Sequence, residues 1–107
     1  MKFTISRSAL LRGLKLASST ADAKSPQSML ACVNIVAKGG RVDMSATDLT
    51  VGMTSSCAAK VDAAGSVAVD ARAILDRVSS IAGDEATVSR DGSSVEIAAG
   101  RSRFRVP

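Results

Sequence analysis

The chain has 107 residues, 46% of them apolar and 22% charged, the balance of one ordinary globular domain and far from that of a disordered chain. It contains no His, Trp or Tyr, which removes the usual neutral-pH base, the Ser/His and Cys/His pairs and the commonest zinc ligand. Its 14 Lys and Arg against 10 Asp and Glu give a net charge of +4, a bias that suits an acidic partner. Phe3 and Phe104 are the sole aromatics, too few for a single-strand binder that stacks bases on rings. No apolar run approaches the ~18 residues of a membrane helix, and Met1-Lys2-Phe3-Thr4 lacks a signal-peptide core, so the expectation is a soluble, cytoplasmic protein with no membrane contact. Cys32 and Cys57 have neither CxxC spacing nor a third ligand beside them, and are expected as buried, reduced thiols.

Residues 2–6 alternate polar and apolar, the mark of a half-buried strand. From Ser8 to Ser19 the spacing becomes helical: Leu10, Leu11, Leu14 and Ala17 share one face, and Ser8, Arg12, Lys15 and Ser19 the other. Ser6 or Ser8 suits the cap, while Gly13 costs such a helix about 1 kcal/mol against Ala. Residues 20–28 form a polar loop holding Asp22, Lys24 and Pro26. A β-branched run over 29–38 leads through Gly39-Gly40 into alternating residues 41–47, a hairpin. Residues 51–61 supply another strand, Gly65 a turn, and 66–69 a short extended piece.

A second helix is expected over 70–81, capped by Asp70, with Ala71, Ile74, Leu75, Val78 and Ile81 on its apolar face and Arg72, Asp76 and Ser79 on its polar one. Residues 86–90, the turn Asp91-Gly92 and residues 94–98 make a second hairpin. In the last strand, 101–106, Arg101, Arg103 and Arg105 share one face and Ser102, Phe104 and Val106 the other. Each helix thus precedes a run of antiparallel strands. That order predicts an α+β fold with two helices packed on one face of an antiparallel meander sheet, and it hints at a two-part repeat.

Three features bear on function. The helices carry basic outer stripes, Arg12 with Lys15 and then Arg72, which suit backbone phosphates without reading sequence; an ordinary solvated helix face is the bland alternative. Three arginines on one sheet face repel one another and cannot be buried unpaired, so the last strand is either a charged edge that discourages aggregation or an interface awaiting a partner's carboxylates. Asp48, in Ala46-Thr47-Asp48-Leu49, has no second carboxylate beside it and reads as a turn residue.

Met1-Lys2-Phe3-Thr4-Ile5 with Arg7, Leu10-Leu11, Ala46-Thr47-Asp48-Leu49 and Gly100-Arg101-Ser102-Arg103-Phe104 together resemble the first domain of the bacterial DNA sliding clamps, the β subunits of DNA polymerase III. The resemblance runs from Met1 to the end of the chain. It implies a ring of two three-domain protomers around duplex DNA, which tethers the replicative polymerase and has no reaction of its own; with no His and no ligand cluster in the sequence, no metal or cofactor is expected. On that basis Lys24, Arg12, Lys15 and Arg72 face DNA. Arg101, Arg103, Phe104 and Val106, with Ile81 at the flank, form the edge that meets the third domain of a second protomer. Polymerase and clamp loader are implied as partners only through the full-length protein.

The chain departs from the family's pattern at Pro26 and Met29, at Ala73 where a lysine is common, and at Arg77 where an apolar residue is common. Residues 1–107 are therefore expected to be a single clamp domain, the first of three and cut before its usual end. A free-standing interaction module with the same fold, using its arginine edge to bind a partner protein, is the alternative.

Overall fold

Alternation dictates the first element: in β1 (Lys2–Ser6), Phe3 and Ile5 are buried and Lys2 and Ser6 exposed. The structure is a computed structural model that describes residues 1–20, 32–47, 52–81, 83–92, 94–99 and 102–106. The chain passes directly into α1 (Arg7–Thr20). Ser6 caps it: its Oγ accepts from the Ala9 amide at 3.4 Å and is 2.9 Å from Ser8 Oγ. Leu10, Leu14 and Ala17 are fully buried along one stripe of α1, as their spacing requires.

β2 (Cys32–Lys38) and β3 (Arg41–Thr47) pair antiparallel, with Lys38 opposite Arg41. They are joined by Gly39 and Gly40 at φ 59° and 74°, the left-handed pair that a type I′ hairpin demands. β4 (Gly52–Ala58) pairs with β3. The strand expected over 51–61 then divides, because after Ala59 the chain leaves β3 and β5 (Lys60–Ala63) pairs with β1 instead. Gly65 is not a turn but the first residue of β6 (Gly65–Asp70), opposite Ala37, where an added Cβ would come within 3.0 Å of Met1 Cβ.

Asp70 caps α2 (Ala71–Ser80), its Oδ1 accepting from the Ala73 amide at 2.9 Å. Ala71, Ile74 and Val78 are the buried stripe of α2, while Leu75 is only half-buried. β7 (Glu85–Asp91), β8 (Ser94–Ala99) and β9 (Ser102–Val106) complete the chain as an antiparallel meander.

The fold class is the one expected, but the strands divide into two sheets rather than one. They run in the orders β5-β1-β7-β8-β9 and β4-β3-β2-β6. Each helix carries the chain from one sheet to the other, so strands adjacent in sequence across a helix never pair. Two halves of identical plan result: β1, α1, β2–β4 and then β6, α2, β7–β9. Each half lends its first strand to the other's meander, β1 to β7 and β6 to β2. α1 and α2 pack on each other, α1 also over β3 and β4, and α2 against β6, β2 and β9. Helices and both sheets enclose one apolar core.

Candidate nucleic-acid interface and a charged edge

The buried stripes of the two helices fix what faces outward. Arg12 and Lys15 on α1 and Arg72 on α2 are all exposed. Among the described residues, no carboxylate lies within ion-pair distance of any of the three. Neither helix has an acidic residue in its first turn. Arg72 sits in the first turn of α2, where a cation opposes the helix dipole and costs a few tenths of a kcal/mol. Helix stability therefore does not account for it. The Asp70 carboxylate already caps that N-terminus, so Arg72 offers a phosphate its own guanidinium rather than the helix pole, and Arg12 and Lys15 on the adjacent helix extend the charge. Lys24 lies outside the described residues, as do Asp48 and Leu49.

Arg7 ties the start of α1 to the end of α2 and to the segment that follows it. Its amide donates to Asp84 O at 2.8 Å, and its Nη2 donates to Ser79 O at 3.2 Å. The guanidinium thus meets a carbonyl at the C-terminus of α2, the pole that favours a cation. On the other flank, Gly13 lets α1 approach β3 closely enough for Met44 to fill the space where a side chain would be.

The second candidate surface is β9, the last strand of its sheet among the described residues. Arg103 and Arg105 are exposed on the outer face and Phe104 is half-buried beneath; Arg101 lies outside the described residues. Val106 and Ile81, which the resemblance assigns to that edge, are each 2% exposed and belong to the core. Val106 points inward by the strand's alternation, and Ile81, the residue after α2, continues that helix's buried stripe. They support the edge from below.

Two contacts there were not legible as such. Glu96, opposite Arg105 in the β8–β9 register, pairs with both arginines, Oε1 to Arg103 Nε at 3.1 Å and Oε2 to Arg105 Nη2 at 3.7 Å. Arg77 of α2 places its guanidinium 5.8 Å from the Phe104 ring centroid, a cation–π distance. The signal for Glu96 was its outward position in 94–98, beside a strand of outward arginines. Nothing in the spacing announced Arg77, because helix-to-strand contacts depend on the tertiary crossing.

The cysteines are half-buried and take part in no disulfide. Burial and then the Asp70 charge push the Cys32 thiol up. Burial and then Asp43 push Cys57 up, with Arg12 pulling weakly the other way. Neither is an activated nucleophile. Among the described residues no three metal-ligating side chains cluster, and no helix is long and apolar enough to cross a membrane.

Comparison with known proteins identifies the family. The family model described as the DNA polymerase III beta subunit, N-terminal domain, matches residues 1–107. The chain is 32% identical over 110 residues to the beta sliding clamp of Caulobacter vibrioides, covering 100% of this chain and 30% of that protein. It is 33% identical over 106 residues to the beta sliding clamp of Vibrio cholerae, covering 97% of this chain and 29% of that one. The crystal structure of the DNA polymerase sliding clamp from Caulobacter crescentus superposes with a TM-score of 0.93 at 31% identity, over 100% of this chain and 30% of that one. The chain thus spans about 30% of the length of these two relatives. With every residue from Met1 to Pro107 matched by the family model and the two-sheet, two-helix fold shared with a solved clamp, the chain belongs to the DNA polymerase III beta subunit family, as an N-terminal domain.

Proposed function

We propose that this domain acts as the first of three in each protomer of a two-protomer ring around duplex DNA, a replication processivity factor that tethers the polymerase and catalyses nothing itself. Arg12, Lys15 and Arg72, with Lys24, face the duplex and hold it through phosphates alone, so the ring can slide. Arg101, Arg103 and Phe104 meet the third domain of the second protomer along β9, carried from beneath by Val106 and Ile81. Polymerase and clamp loader act through the rest of the full-length protein, in the cytoplasm where the chromosome lies. The observation that carries this reading is the set of three exposed cations on two adjacent helices without acidic partners among the described residues.

Anisotropy titration of two unrelated labelled duplexes over a range of salt tests it. Three to four phosphate contacts give a log–log salt slope of roughly −3 to −4 with no sequence preference. A preference above about tenfold would mark a base-reading protein, since direct readout is what separates sequences by that much.

A further inference from the structure

The β9 edge carries its own acid. Glu96 has two carboxylate oxygens, and each is committed to a different arginine of β9, Arg103 at 3.1 Å and Arg105 at 3.7 Å. Its side chain is 25% exposed, against 73% and 59% for the two arginines. The carboxylate is thus enclosed by the cations, while they project beyond it. A guanidinium has five N–H donors in a fork, so pairing with Glu96 leaves donors on Arg103 directed outward.

Among the described residues β9 is the last strand of its sheet, and an added strand would place its outward side chains beside those of Arg103 and Arg105. Acids on that strand would meet arginines already half-neutralised, with the Glu96 charge on the same face.

We propose that Glu96 is an intramolecular counterion that competes with an incoming acidic strand for Arg103 and Arg105, so that docking on β9 is an exchange of carboxylates and Glu96 sets its strength. This rests on the reading of β9 as the edge that receives an acidic partner. Two consequences distinguish it from a merely structural ion pair. Neutralising Glu96 strengthens docking rather than weakening it. It also steepens the salt dependence, because Arg103 without Glu96 is screened by solvent ions that the partner must displace.

The test uses the 15N-labelled chain and its Glu96→Gln variant. The probe is a synthetic ten-residue strand alternating glutamate with threonine, and its all-glutamine counterpart is the control. Amide shifts over Ser94–Ala99 and Ser102–Val106 report docking residue by residue, separately from any peptide held by the helix cations. The expected result is docking of the glutamate strand on β9 in both proteins, roughly threefold to fivefold tighter in Glu96→Gln, the range set by one exposed ion pair. Arg103→Gln with Arg105→Gln should abolish the preference for the glutamate strand over the glutamine one. If no β9 amide moves in either protein, the reading of the edge as an acidic-partner surface is overturned. If those amides move but Glu96→Gln docks with equal or lower affinity, that reading stands and the competition by Glu96 is refuted.

Discussion

Gly13→Ala tests how α1 is seated on its sheet, and two known effects oppose each other there. In an exposed helix the change would stabilise by about 1 kcal/mol. Gly13, however, faces β3, and a Cβ at this position would overlap Met44 Cε and lie 2.9 Å from Met44 Sδ. Met44 is fully buried, so its flexible thioether can yield only by displacing close-packed neighbours, an overpacking cost of about 1–3 kcal/mol. The single variant should therefore be destabilised by about 0–2 kcal/mol, against the sign that helix propensity alone gives.

Met44→Ala should cost about 2–5 kcal/mol by leaving a cavity. In that background Gly13→Ala should become stabilising by about 1 kcal/mol, because the obstruction is gone and the new methyl enters the void. The coupling between the sites is then about 1–3 kcal/mol, read from urea unfolding of the two singles and the double by circular dichroism. Additivity within about 0.5 kcal/mol would refute the account of why a helix former is excluded at this position.

Asp70→Ala removes the oxygen that accepts from the Ala73 amide and should cost about 1 kcal/mol in the same assay, with Asp70→Asn retaining most of the stability. Both thiols are held above their ordinary value of 9.0. A raised folded-state value means the native state keeps its proton better than the unfolded chain does. Their contribution to stability is therefore complete below pH 9 and lost as pH climbs through the folded values. Alkylation by iodoacetamide near pH 8 should run slower than for an unstructured thiol, and Asp70→Asn should speed Cys32 but not Cys57; reaction at the unstructured-thiol rate would contradict the burial assigned to them.

Local chemistry made the elements readable. Alternation over Lys2–Ser6 and Arg41–Thr47, the paired glycines 39 and 40, and the Asp70 cap with its apolar stripe identify strands, hairpin and helix, because each depends on neighbours in sequence. Partner choice was not readable. Alternation in β1 says that Phe3 and Ile5 point inward, but not that Lys2–Ser6 lies between β5 and β7. A single meander therefore stood where two sheets with exchanged first strands exist. The same gap explains the break near Ala59, which is set by β1 as a competing partner rather than by a turn residue.

Within the site, Arg12, Lys15 and Arg72 were legible from the helical stripes. The resemblance assigns Val106 and Ile81 to the edge, and their own periodicity points them into the core beneath it. The contacts of Glu96 and Arg77 became visible only when the β8–β9 register and the crossing of α2 over β9 brought them to the arginines and to Phe104.

The most direct measurement maps a bound duplex on the domain. The 15N-labelled chain is titrated at low salt with a short duplex of arbitrary sequence, while amide and arginine side-chain shifts are followed. Weak, fast-exchanging shifts should centre on Arg12, Lys15 and Arg72 and their flanks in α1 and α2, be lost at moderate salt, and be absent from the triple variant Arg12→Gln, Lys15→Gln, Arg72→Gln. Shifts concentrated on β9 or on the outer sheet faces, or undiminished binding by the triple variant, would contradict the DNA-facing role of the helices.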